Sequence, residues 1–276
     1  MDANAPASPS ISLIELSPWD LSLASLLVLL LAGLSWRLRL GVERRVLIAA
    51  ARSAVQLSLV GLVLKLLFAQ TSLPLIGLMA LVMLSVAGFE VMQRQTRRFG
   101  GPWGYGIGAV SMFLSSFSVT LLALTVVIGV EPWYQPQYLI PLLGMLLGNT
   151  MSGVAIALDN LTRHAWESRG QIEARLLAGQ DWEQAIEHIR RESLRSGLIP
   201  IINAMGTAGL VSLPGLMTGQ ILAGSPPMDA AKYQLLIMFL IAAGTGLGAM
   251  VAVWMGSRRL FDERQRLRLD RLTQTG

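Results

Sequence analysis

The side chains of this chain that can do chemistry lie within otherwise apolar stretches: Arg52, Gln56, Glu90, Asn149, Asn203, Thr218 and Gln220. A charge or amide in hydrocarbon is costly, so these residues raise the expectation of a path for an ion or polar solute. Arg52 and Gln56 are four apart and share one helical face. Arg52 also lies about two turns from Arg45, roughly 10 Å along a helix, so its guanidinium can instead snorkel to the interface. Glu90 precedes Arg94 by four residues and reads equally as half of a structural ion pair or as a substrate or coupling group. Asn149, Ser152 and Asn203 can hydrogen-bond between helices or line the path. Lys65, near the end of its stretch, reads as a snorkelling side chain.

What the chain lacks bounds that chemistry. It has no cysteine, and its two histidines, His164 and His188, lie in a charge-rich segment outside the apolar stretches. A tight nitrogen–sulfur metal site does not fit this inventory. Oxygen ligands or the thioethers of Met145, Met151, Met205 and Met217 would hold a cation only transiently, and these methionines read first as packing. No metal ligands are assigned. The only lysines, Lys65 and Lys232, follow Leu64 and Ala231, so neither completes the Gly-Lys-Ser/Thr of a phosphate-binding loop. The chain is therefore expected to be no enzyme and to bind no cofactor. Any ATP-Mg belongs to a separate subunit.

Apolar spans must position these groups. Of 276 residues, 53% are apolar and 14% charged, the balance of an all-α polytopic membrane protein. Spans are expected near 19–36, 46–69, 73–92, 105–130, 139–158, 197–224 and 233–255, against a requirement of about 20 residues per crossing. Residues 1–18 read as a flexible polar lead-in without the basic start of a signal peptide. Residues 19–257 form the transmembrane domain and 258–276 a basic tail. The loop with Arg37, Arg39, Arg44 and Arg45, the loop with Arg94, Arg97 and Arg98, and the tail alternate with almost uncharged loops. Basic loops stay cytoplasmic. That places the N-terminus outside and the C-terminus inside a bacterial inner membrane, and segment 159–196 in the cytoplasm. The net charge of +5 then reflects topology and membrane lipid rather than nucleic acid. The tail reads as a topology anchor or as a basic amphipathic helix on the inner leaflet.

Segment 159–196 is expected to hold two short helices. Glu173 to Ala178 reads as one, stopped by Gly179. Asp181 begins the next as N-cap, with Gln184 placed for a capping box, and Trp182, Ile186, Ile189 and Ser193 share its inner face. The apolar run Gly197–Gly224 follows. Gly197 to Leu213 alone is about 25 Å as helix, and with the remainder it exceeds a ~30 Å core, so the run must tilt steeply or break. Pro214-Gly215 removes a backbone donor and loosens the chain. It is read with Pro200 as the hinge, opening a path along Asn203, Thr218 and Gln220, with Gln56 and Asn149 from neighbouring spans.

Leu213-Pro-Gly-Leu-Met-Thr-Gly-Gln-Ile-Leu222, Arg52-Ser-Ala-Val-Gln-Leu57 and Gly144-Met-Leu-Leu-Gly-Asn-Thr-Met151 resemble the FetB-type permease family. That family contains bacterial iron-export permeases and plant aluminium-tolerance half-transporters, and the resemblance covers most of residues 45–255. Glu173-Ala174-Arg175 with Gly179 is similar to the E-A-A…G coupling loop of ABC-transporter permeases, although Pro200 lies further downstream than in importer loops. The resemblance implies an iron-exporting permease, working as a homodimer with two ATPase subunits and coupled through Glu173, Ala174, Gly179 and Asp181. Two other readings stay open at this point: a self-sufficient secondary transporter or channel, and a non-transporting membrane adaptor.

Overall fold

The computed structural model describes residues 17–69 and 72–274, so nearly all of the 1–18 lead-in and most of the 70–72 loop lie outside the described residues. Nine helices account for the described chain: α1 Pro18–Arg37, α2 Glu43–Ala69, α3 Leu73–Gln93, α4 Pro102–Ile128, α5 Pro136–Glu167, α6 Arg169–Leu177, α7 Trp182–Thr207, α8 Gly215–Leu222 and α9 Pro227–Arg259. Two three-residue strands, β1 Arg97–Phe99 and β2 Leu272–Gln274, pair antiparallel. Six helices, α1 to α5 and α9, are long and apolar enough to cross a membrane. The chain is an all-α polytopic membrane protein.

Two compact units divide the chain. The first contains residues up to Thr71 together with Gly219–Pro226. In it α1 and α2 form a hairpin, with the Ser35 hydroxyl donating to Glu43 Oε2 across the turn at 3.4 Å. Pro18 opens α1 at a position where a missing N–H costs nothing, and Ser17 and Asp20 close a capping box around it.

The second unit, Ser72–Thr218 with Pro227–Gly276, holds the core. Apolar burial does not drive helix association in lipid, so close packing over small residues does. In the α3–α4 pair, a Cβ on Gly108 would lie 2.9 Å from Val91 Cγ1 and one on Gly88 3.0 Å from Ala109 Cβ. In the central trio α5, α7 and α9, a Cβ on Gly197 would lie 2.7 Å from the Gly153 carbonyl oxygen. Gly248 abuts Thr150, Ser115 and Val154, and Gly256 abuts Leu158 and Leu161. Gly144, Gly244 and Gly248 have close neighbours, whereas Gly148, Gly215 and Gly219 face open space among the described residues. Gly197→Ala is expected to cost about 1–3 kcal/mol, the usual penalty of overpacking. Reversible SDS unfolding against wild type measures it, and an unchanged midpoint would mean that the α5–α7 contact is loose.

Helix α4 carries two π-helical turns, Phe113–Phe117 and Ala123–Ile128. Within and between them Ser115, Thr120 and Thr125 donate to carbonyls four residues back.

The register of α5, α7 and α9 explains the broken run. Gly244 meets Leu146 while Gly256 meets Leu158 and Leu161, so α5 and α9 run parallel. The chain must therefore return between them, and α7 begins the return with Gly197 beside Gly153 and Ala157. Thr207 lies about 15 Å further along, and residues 208–226 complete the way to Pro227.

Three expectations are corrected here. The second polar helix is not short: it continues without interruption into the apolar run, and Pro200 sits inside it. The break spans 208–214, so Pro214-Gly215 marks its end and the start of α8. Gly209 turns it with φ +82°, its amide donating to the Ser212 carbonyl at 2.9 Å. The tail is neither a free anchor nor an amphipathic helix. It folds back through an isolated bridge between Phe261 and Leu267 to place β2 on β1, burying Leu260, Phe261 and Leu272.

Candidate functional site

The polar end of the second unit is built from the ends of α5 and α7. Helix α5 runs 32 residues, about 48 Å, and so extends well beyond a ~30 Å core. Its polar continuation is fastened to β1. Asp159 Oδ1 accepts from the Thr96 amide at 2.6 Å, the Thr162 hydroxyl donates to the Arg97 carbonyl at 2.7 Å, and the Arg97 guanidinium lies 4.1 Å from the Trp166 ring centroid.

Helix α6 then projects from this base. Ile172 is its buried anchor, Glu173 and Ala174 are exposed, and Leu177 is 90% exposed. Gly179 ends it at φ +88°, in the left-handed region, its amide bonding the Leu176 carbonyl at 3.0 Å. An L side chain adopts that conformation only under strain. Asp181 caps α7 by accepting from the Gln184 amide at 2.8 Å, which is one half of the expected capping box. Ile186, Ile189 and Ser193 are buried as their spacing predicts, and Trp182 packs at 5.7 Å against Phe261 of the tail.

One side chain joins the two helices. Arg175 Nη1 donates to the Ala185 carbonyl at 3.2 Å and to His188 Nδ1 at 2.9 Å, which requires a neutral His188 protonated on Nε2. Burial first, and the Arg175 charge second, hold this imidazole below its ordinary value. Folding thus favours the neutral ring. The contact contributes fully above the usual imidazole value of ~6.5 and is lost as pH falls through the lower folded-state value. Hydrogen exchange of the α6 amides, corrected for intrinsic rates, should show less protection near pH ~5 than near ~7.5. His188→Gln should flatten the difference. Equal protection at both pH values in wild type would remove His188 from the contact.

The residues read as a path are only partly gathered. Glu90 pairs with Arg94 at 4.0 Å, and Arg94 Nη1 donates to the Ser152 hydroxyl at 3.3 Å, joining α3 to α5. The i, i+4 pair expected of Glu90 and Arg94 is thus formed. Asn149, three residues before Ser152, donates to the Met145 carbonyl of its own helix. Asn203 is exposed on α7, and its carbonyl accepts from Thr207 at 3.0 Å. Thr218 Oγ1 donates to the Pro214 carbonyl at 3.2 Å in the first turn of α8, which also carries the half-buried Gln220. No hydrogen bond joins Asn149, Asn203 and Thr218 to one another among the described residues. Arg52 and Gln56 lie exposed on α2, in the other unit. Nor does any group of three or more His, Asp or Glu side chains come close enough to hold a metal ion among the described residues.

Two features escaped the sequence reading. One is the hydroxyl row Ser111, Ser115, Ser116 and Thr120, buried in α4 against α9; its i, i+4 spacing inside an apolar span was the available signal. The other is the tail, where Gln265 Oε1 accepts from the Trp182 amide at 3.1 Å and Arg271 Nη1 donates to the Arg259 carbonyl at 2.8 Å. No local pattern announces those contacts.

Six membrane-length helices with an exposed polar platform at one end make the chain a polytopic helical membrane protein. The family model described as Uncharacterised protein family (UPF0014) matches residues 18–261, and the chain belongs to that family. It is 36% identical over 261 residues to UPF0014 membrane protein slr1647 of Synechocystis, covering 93% of this chain and 98% of that one. To the Escherichia coli protein named "Probable iron export permease protein FetB" it is 31% identical over 255 residues, covering 90% and 93%. To Protein ALUMINUM SENSITIVE 3 of Arabidopsis thaliana it is 32% identical over 233 residues, covering 84% and 83%. No solved structure matches the chain significantly.

Proposed function

We propose that this chain is the permease subunit of an ABC transporter that exports iron, working as a homodimer with two separate ATPase subunits. The polar end faces the cytoplasm of a bacterial inner membrane, with the N-terminus outside. The observation that carries the reading is the continuity of α7 from its cap at Asp181, beside the exposed α6, to Thr207 at the edge of the break. A 26-residue helix is about 39 Å long and transmits a push at one end as movement at the other.

The ATPase seats on Glu173, Ala174 and Leu177, whose surface Gly179 and Asp181 hold in shape. Its movement swings α7 about the α5 contact and displaces 208–214. That opens a path along Asn203 and Thr218, with Glu90 and Asn149 contributing from α3 and α5. Iron as cargo is supported by the name of the Escherichia coli relative. The chain itself needs no cofactor, because ATP-Mg stays on the partner.

The test is uptake of radioactive iron, aluminium, manganese and organic cations into inside-out vesicles holding the chain with a candidate ABC ATPase from the same organism. ATP-dependent accumulation of iron supports the reading. Accumulation without the ATPase would replace it with a secondary transporter. Because the chain has no cysteine, Leu177→Cys gives background-free labelling. An impermeant maleimide should reach it in inside-out vesicles only, and labelling of intact cells would reverse the orientation.

A further inference from the structure

At the polar end, next to the platform, the tail lines an open cavity of about 1150 Å³ against the ends of α4, α7 and α9. Its lining contains five arginines against three acids, together with Trp103, Trp182 and Trp254. The arrangement is specific. Arg259 lies 4.7 Å from the centroid of Trp103, and Arg258 lies 5.9 Å from that of Trp254. Arg259 Nε is buried without a hydrogen-bond partner. Of the three lining acids, Asp262 is committed, its Oδ2 bonding Arg266 at 2.8 Å, while Glu183 and Glu263 share the lining with the arginines; just outside it Asp270 bonds Arg268 at 2.8 Å. Arg268 holds the Asp270 carboxyl down at about 2, so that acid stays ionised and paired. Arg258, Arg259 and Arg264 make no ion pair among the described residues.

We propose that this cavity binds the phosphate group of an anionic membrane phospholipid through Arg258, Arg259 and Arg264. Guanidinium forks match phosphate oxygens, and a buried unsatisfied N–H gains most from such an acceptor. Lipid is favoured over a soluble phosphate by position. Trp103 opens a membrane-length helix and Trp254 lies one turn from the end of another, where tryptophans mark the headgroup level. Basic pockets between helices at that level suit anionic headgroups. Trp182 gives the site a consequence, since it begins α7 and its amide is already held by Gln265 of the tail. A lipid bound here ties the tail to the start of the lever.

The experiment uses the full chain purified in mild detergent and observed by native mass spectrometry. Phosphatidylglycerol, phosphatidylcholine or inorganic phosphate is added in turn. Wild type should retain phosphatidylglycerol over phosphatidylcholine. The triple variant Arg258→Gln, Arg259→Gln, Arg264→Gln should lose about tenfold in that retention, or ~1.4 kcal/mol, while Arg44→Gln with Arg45→Gln should keep it. Arg259→Lys keeps the charge but not the fork, and should show an intermediate loss while folding normally by size exclusion. Equal retention of both lipids, or equal loss in the Arg44/Arg45 control, would overturn the site. Retention of inorganic phosphate that displaces phosphatidylglycerol at millimolar concentration would overturn the lipid assignment.

Discussion

Gly179→Val is expected to reduce transport-linked ATP hydrolysis by about tenfold or more while membrane insertion survives. At φ +88° a β-branched residue pays roughly 1–2 kcal/mol or more, and each 1.4 kcal/mol is about a factor of ten in an equilibrium. The chain relieves that strain by unwinding the end of α6, which removes the Gly179 amide from the Leu176 carbonyl and the Gln180 amide from the Arg175 carbonyl. Leu177 then leaves its place in the docking surface. The damage stays local, because Ile172 and the Arg175 bonds to α7 lie upstream. Co-purification with the ATPase and ATP hydrolysis in vesicles are the measurements, with Gly179→Asn as a variant that tolerates the left-handed conformation and should recover most activity. If valine and asparagine both behave as wild type, α6 is a connector and no coupling passes through it.

The triple variant Gly209→Ala, Pro214→Ala, Gly215→Ala should abolish transport, a loss well beyond about tenfold, while leaving the ATPase bound. Gly209 supplies the φ +82° turn, and Pro214 lacks the amide needed to continue a helix. With all three replaced by alanine, the best helix former, α7 can run on toward α8. From Gly197 to Leu222 such a helix measures about 39 Å, longer than a ~30 Å core, and it leaves no yielding section where the lever ends. Gly197, Gly153 and the rest of the α5–α7 seam are untouched, so the bundle should still assemble. Iron uptake into inside-out vesicles decides the matter alongside ATPase co-purification. Transport at the wild-type rate would show that 208–214 is an inert kink, and the lever mechanism would be abandoned.

Read together, these two variants separate the ends of one helix. The first disables the input at α6 and the second the output at 208–214. If the first loses ATPase binding while the second keeps it, force enters at the platform and is used in the membrane segment.

Much of this was determined by the sequence alone. Runs of about 20 apolar residues can only be satisfied as helices, because hydrocarbon offers no partner for backbone groups. That argument gives the all-α class and the six helices long and apolar enough to cross a membrane, while composition marks the polar segment between α5 and the broken run and glycine the helix stop at Gly179. The buried face of α7 followed from periodicity, and the Glu90–Arg94 pair from i, i+4 spacing. The tertiary structure decided the rest, and always through contacts distant in the chain. At Pro200, read with Pro214-Gly215 as the hinge, α7 runs on without interruption, and just before it Gly197 packs directly on Gly153 and keeps the helix against α5. The break fell at 208–214, where that packing ends. The tail, read as an anchor or an amphipathic helix, became a strand partner of β1, because the Leu272 to Phe99 pairing spans more than half the chain. Neither local propensity nor hydropathy carries information about a partner that far away. For the same reason the cavity that Arg258, Arg259 and Arg264 line exists only once the tail has folded back.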